Sequence, residues 1–85
     1  MKEEVEKRVM TIVSEFLKLE PDEIVPDSDL SKDLRADSLD IVEITFLLEE
    51  EYAVDLHDME WTVYSVITPQ IVAEAIRERL APAVE

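Results

Sequence analysis

Apolar residues recur at three- and four-residue spacing in three separate segments of this chain, and prolines stand between or beside those segments. That period brings side chains onto one face of an α-helix, whereas a strand needs alternation, and no alternating run competes with it here. In the first segment, Lys2 to Leu19, the residues Val5, Val9, Ile12, Val13, Phe16 and Leu17 make an apolar face with charges between them. This predicts an amphipathic helix of about four to five turns. Pro21 and Pro26 interrupt the pattern. A second helix is expected from Ser38 to about Tyr52. A last one starts at Thr68-Pro69, threonine being a good N-cap and proline suiting the first helical position. Val72, Ala75, Ile76 and Leu80 form its apolar face, and Pro82 ends it. From Met59 to Val66, the residues Met59, Trp61, Val63, Tyr64 and Val66 fit either a short helix or an extended piece, and a short helix is the expectation. The expected fold class is all-α: a small four-helix bundle of three main helices plus one short helix, with a long first loop, residues 1–85 forming one domain.

Composition narrows the functions open to such a bundle. With 85 residues, 47% of them apolar, the chain can build a single core but not a core plus an enzyme cleft of ordinary size. It has no cysteine, which excludes a disulfide framework, a thiolate nucleophile and a cysteine zinc site. Twenty-two acidic residues against eight basic ones give a formal charge of -14, which repels a phosphate backbone and argues against nucleic acid as a partner. Between Glu20 and Glu60 there are fifteen acidic residues and only Lys32 and Arg35 as cations, while the rest of the chain is nearly balanced. Charge gathered in this way favours a docking face for an electropositive partner over an evenly solvated surface. No apolar run approaches the roughly 18 residues of a membrane span, and Met1 to Arg8 is too acidic for a signal or transit peptide. A soluble, cytoplasmic, monomeric chain without stable membrane insertion is expected.

The connection from Glu20 to Asp37 is long and polar, and Ile24, Val25, Leu30 and Leu34 are expected to pin it to the core. Connections of this length are uncommon in compact domains unless functional, so the residues at its end stand out. They are Asp37-Ser38-Leu39-Asp40. Asp37 and Asp40, three apart, suit a capping box, which puts Ser38 at the first helical position. Asp27, Asp29 and Asp33 suggest a calcium loop, but the spacing fails: Lys32 falls where glycine is required and Ser38 where glutamate is. No metal site is expected. On a helical wheel at about 100° per residue, Ile41, Ile44, Thr45, Leu48 and Tyr52 form one band. Leu39, Val42 and Phe46 form a second stripe, in the company of Glu43, Glu49 and Glu50. Either this helix is buried on two sides, or it carries an exposed apolar strip rimmed with carboxylates; the second reading suits docking on a hydrophobic and basic surface. In the bland alternative the three glutamates are a solvated face. His57 reads as an ordinary surface histidine, and Trp61 and Tyr64 as core packing rather than a specific ligand box.

The run Asp33-Leu34-Arg35-Ala36-Asp37-Ser38-Leu39-Asp40, with Ile41-Val42-Glu43 and Leu47-Leu48-Glu49-Glu50-Glu51-Tyr52 after it, resembles the acyl carrier proteins. The resemblance implies a non-catalytic carrier in which Ser38 receives 4'-phosphopantetheine from coenzyme A through a phosphopantetheinyl transferase. The thiol of that arm then carries acyl groups as thioesters for fatty acid, polyketide or related biosynthesis. It also implies that Asp37, Leu39, Asp40, Val42, Glu43, Phe46, Glu49 and Glu50 meet acyl-handling enzymes with basic docking surfaces. Physical chemistry is consistent with this. A serine hydroxyl is a poor nucleophile without a base, and the sole histidine, His57, is remote in sequence, so another protein must activate Ser38. A phosphodiester there would lie near free helix N–H groups and the positive end of the helix dipole. Two departures stand out. Arg35 occupies a position where the family commonly has glycine, and Leu56 to Pro69 does not look like the usual third helix of a fatty-acid carrier. Glu60-Trp61 with Thr68-Pro69 is faintly similar to D-alanyl carrier proteins, so a specialised carrier is one alternative. The rival from another class is an unmodified acidic helical interaction module. Nothing supplies a general base near a nucleophile, which leaves an enzyme far behind.

Overall fold

The computed structural model describes residues 2–59, 61–62 and 64–80 and contains three α-helices: α1 (Lys2–Leu17), α2 (Ser38–Tyr52) and α3 (Pro69–Leu80). Two single 3-10 turns, at Pro21–Glu23 and His57–Met59, are the other regular pieces, and there is no strand among the described residues. In α1, Val5, Val9 and Val13 succeed one another at one-turn intervals and are buried, with Ile12 and Phe16 packed beside them. The helix stops two residues short of Leu19. Lys18 turns left-handed (φ 61°), and the Leu19 N–H donates back to the Ser14 carbonyl at 2.8 Å. This closure usually falls to glycine, of which the chain has none.

Both other helices pack on α1. Towards it α2 brings Ile41, Ile44 and Leu48, and α3 brings Val72, Ala73, Ala75 and Ile76. Between α2 and α3 there is no comparable contact. The chain joining them contributes Leu56 and Ile67, both 1% exposed, to the core. Among the described residues of the Met59–Val66 stretch, the expected short helix is not found. The chain instead makes the 3-10 turn at His57–Met59 and then a turn in which the Ser65 N–H donates to the Thr62 carbonyl at 3.0 Å. The Thr62 N–H donates to Ser65 Oγ at 3.1 Å and the Tyr64 N–H to Thr62 Oγ1 at 3.1 Å, so short polar side chains offer the backbone partners that compete with a helical ladder. Glu60, Val63 and Pro82 lie outside the described residues. Trp61 packs against the core as expected, whereas Tyr64 is almost wholly exposed.

The long first connection is anchored rather than loose. Ile24, Leu30 and Ala36 are buried, and complete burial of a leucine such as Leu30 stabilises by about 2 kcal/mol. Val25, expected to help, is half-exposed. Backbone bonds tie this loop to the start of α3: the Leu30 N–H donates to the Ile67 carbonyl at 2.8 Å, and the Gln70 N–H to that of Pro26 at 3.0 Å. The Asp29 carboxylate accepts the N–H groups of Ser31 and Lys32, while Asp33 accepts that of Asp29. These acids therefore shape the loop. At the entry to α3, Thr68 caps as expected, its Oγ1 accepting the Ile71 N–H at 3.1 Å. None of the described helices is long and apolar enough to cross a membrane.

At the end of α2, Ala53 is left-handed (φ 54°, ψ 46°), exposed, and donates its N–H to the Glu49 carbonyl. A Cβ costs about 1 kcal/mol or more in this conformation, and part of the relief from removing it is lost to the freer unfolded chain. Ala53→Gly should therefore stabilise the domain by roughly 0.5 kcal/mol and raise Tm by about 2–4 °C in a thermal melt.

Candidate functional site

Where the long loop meets α2, Asp37 and Asp40 form the expected reciprocal cap. The Asp40 N–H donates to Asp37 Oδ1 at 2.9 Å, and the Asp37 N–H donates to Asp40 Oδ2 at 3.1 Å. Ser38 is thereby held at the first helical position, exposed, with no side-chain hydrogen bond to any described residue. Its own N–H and that of Leu39 lie too early in the helix to reach a carbonyl four residues back. A free hydroxyl beside free amide donors suits an anion esterified to the oxygen.

One face of α2 is buried by Ile41, Ile44 and Leu48, and the opposite stripe is open: Leu39 is 70%, Val42 56% and Phe46 60% exposed. Of the two readings of this helix, the one with an exposed apolar strip describes its geometry. Glu43 and Glu50 are exposed beside it. Glu50 also borders a shallow second groove between α1 and α2, with Ile12, Phe16 and Leu47 on its floor.

Glu49 departs from the expected rim. Its side chain is only 12% exposed, and Oε2 accepts the Leu56 N–H at 2.7 Å and lies 3.3 Å from His57 Nδ1. On the helical wheel it falls at the edge of the open strip, about 20° from Val42 and about 40° from Thr45, so periodicity alone did not foretell its inward turn. His57, in turn, is exposed without being isolated. Its Nδ1 lies 2.6 Å from Asp55 Oδ1, and its backbone N–H donates to the same oxygen at 2.9 Å. The bond from Asp55 and the charge of Glu49 raise the pKa of His57, while bonds from the His57 backbone and ring lower that of Asp55. Behind them Arg79 of α3 donates to Asp58 Oδ1 at 2.6 Å and to the Asp55 carbonyl at 2.9 Å. On the far side of α2, Arg8 donates twice to Glu51, at 2.9 and 3.2 Å.

Glu49 and Leu56 also border a half-open apolar groove of about 180 Å³. Ile41, Val42, Thr45 and Phe46 of α2 make one wall; Leu56, His57 and Trp61 make the other. It begins one turn beyond Ser38 and follows α2 to Glu49, about 12 Å at 1.5 Å per residue. Sequence periodicity could not locate it, because its second wall is irregular chain. Arg35, three residues before Ser38, is left-handed (φ 64°) and exposed, which explains why glycine would suit that position sterically.

A family model described as the phosphopantetheine attachment site matches residues 7–67. The chain is 37% identical over 78 residues to the acyl carrier protein of Thermosynechococcus vestitus, which covers 92% of this chain and 94% of that protein. It is 42% identical over 59 residues to the acyl carrier protein of Cyanidium caldarium, covering 69% of each. A similar stretch is 41% identical to acyl carrier protein 2, mitochondrial, of Arabidopsis thaliana, and spans 47% of that protein's length.

The cap that presents Ser38 is open to a direct check. Asp37→Ala should remove about 1 kcal/mol of stability and lower Tm by roughly 4–8 °C, read by circular dichroism.

Proposed function

The chain belongs to the acyl carrier proteins, and from that membership we propose that Ser38 is the residue to which its 4'-phosphopantetheine arm is joined. The observation that carries the assignment is the exposed, unbonded hydroxyl of Ser38 at the first position of α2. The arm supplies a thiol on a flexible tether, on which acyl groups travel as thioesters. In the joining step Ser38 Oγ forms the new bond to phosphorus as the pyrophosphate bond of coenzyme A breaks. Adenosine 3',5'-bisphosphate leaves, and the hydroxyl proton passes to a base on the phosphopantetheinyl transferase. No described histidine, lysine or carboxylate bonds Ser38 Oγ, which is consistent with a substrate activated by its enzyme rather than by itself. After joining, the first N–H groups of α2 are placed to donate to the phosphodiester, and the helix dipole favours its charge.

In this reading the chain itself is not a catalyst, and it works as a monomer in the cytoplasm, in fatty acid or related biosynthesis. The open strip of Leu39, Val42 and Phe46, bordered by Glu43 and Glu50, meets basic docking surfaces on the transferase and on acyl-handling enzymes. Asp37 and Asp40 contribute negative charge to the same end of α2 while they cap it. Glu49 has the smallest part in docking, being turned inward. The groove along α2 suits a short apolar cargo, with Trp61 on its wall and Tyr64 away from it.

Incubation with coenzyme A and a broad-specificity phosphopantetheinyl transferase should add one phosphopantetheinyl group to the intact mass, and Ser38→Ala should add none. An unchanged mass of the unaltered chain, under conditions that load a known carrier, would favour the unmodified interaction module. Glu43→Lys should slow the same reaction by roughly tenfold at low salt, equivalent to about 1.4 kcal/mol, and by less at high salt, with an unchanged melt. Equal rates for both proteins would mean that partners dock elsewhere.

A further inference from the structure

The groove along α2 has one wall made of helix and one made of irregular chain, and the irregular wall needs something to hold it in place. Leu56, buried, and Trp61, partly buried, face α2 across the groove. The polar link between that wall and the helix runs through Glu49, whose Oε2 takes the Leu56 N–H at 2.7 Å and stands 3.3 Å from His57 Nδ1. From this geometry we propose that Glu49 and His57 are positioning residues which together clasp the wall bearing Leu56 and Trp61 against α2, and that the clasp loosens when His57 loses its proton. The part of the proposal concerning cargo rests on the carrier reading; the clasp itself does not.

The charges around His57 explain why its proton matters. Glu49 faces it from α2, Asp55 and Asp58 from its own segment, and Arg79 from α3, where it is already bonded to Asp58. Three carboxylates thus meet two cations while the ring is protonated, and one cation once it is not. Nδ1 must carry hydrogen to bond Asp55 at 2.6 Å, so the proton lost on titration is the one on Nε2. The Nδ1–H bond to Asp55 therefore survives. What disappears is the positive charge that held Glu49 and Asp55 together at the Nδ1 edge of the ring, and the two carboxylates are left to repel each other.

The sign follows from the direction of the shift. His57 is raised above its usual value of about 6.5, so its contribution is complete below that pH and is lost as pH rises through the raised value. Asp55 is lowered, so its contribution is present above its usual value of about 3.9 and fails only in acid. The clasp is therefore tightest in the window between these two values. Above it, the wall bearing Leu56 and Trp61 is freer to leave α2, and the groove opens.

The chain has one tryptophan, Trp61, and it lines this groove, so its emission reports on the wall without a label. In the unmodified protein, emission should shift to the red as pH rises from about 5.5 to 8.5, with a midpoint matching the His57 ring titration followed by NMR. His57→Asn keeps a donor where Nδ1 lies but cannot be charged, and should be red-shifted and flat across the range. His57→Lys keeps a cation throughout, and should stay blue-shifted. Because His57 is 79% exposed, neither variant removes core packing, and Glu49→Gln, checked for folding by circular dichroism, should lose the transition as well. A flat wild-type profile, or a His57→Asn profile with the wild-type midpoint, overturns the clasp. With an octanoyl group as probe cargo on the arm, hydroxylamine should cleave wild type roughly threefold more slowly than His57→Asn near pH 5.5 and equally fast near pH 8.5. Equal cleavage at both pH values overturns the clasp's effect on cargo. A chain that accepts no arm overturns the carrier reading and that effect with it, while the emission profile still decides the clasp.

Discussion

The packing of both other helices onto α1 is the constraint from which the remaining features follow. Val5, Val9 and Val13 offer a single buried stripe, and α2 and α3 each seat one face on it without packing closely on each other. An apolar helix such as α2 would ordinarily gain by burying its second stripe, at about 25 cal/mol per Å² removed from water, but among the described residues no further helix covers it. Leu39, Val42 and Phe46 therefore remain in solvent, and the space between α2 and the chain leading to α3 is a groove instead of a packed seam. The open strip and the groove thus both come from a bundle left incomplete along one side of α2.

Electrostatics act at two ranges in this molecule. Over the whole surface, a formal charge of -14, nearly all of it between Glu20 and Glu60, sets up a field that attracts positive charge and is screened within about 10 Å at ordinary ionic strength. At close range several of the same carboxylates serve the fold. Asp37 and Asp40 cap α2, Asp29 and Asp33 hold the turn before it, and Glu49 bonds the chain after it. Counting acidic residues overstates how many are free for partners. Some of them also fasten the site: the loop ahead of Ser38 is held by side-chain to backbone bonds, and its backbone joins the entry to α3 through Leu30 and Ile67.

The helices were legible in the sequence because they rest on local physics. Three-and-four spacing placed α1, the Asp37–Asp40 pair placed the start of α2, and Thr68-Pro69 placed the start of α3, and each of these starts is capped as its residues imply. Ser38 was legible for the same reason, since the first helical position follows from the cap beside it. The segment from Leu56 to Val66 was not. Its apolar residues allowed a short helix, but the hydroxyl oxygens of Thr62 and Ser65, which accept hydrogen bonds from nearby amides, and the burial of Leu56 and Ile67, gave its described residues an irregular course.

Composition and periodicity alone determined an acidic, all-helical chain with one stripe of α2 in the core and a serine at its head, because a residue's place on a helix depends only on its neighbours in the chain. Tertiary structure alone decided that Glu49 turns inward while Glu43 stays out, that Trp61 packs while Tyr64 does not, and that His57 sits between two carboxylates. Those outcomes depend on where the irregular chain crosses α2, and that path is set by contacts between residues far apart in sequence.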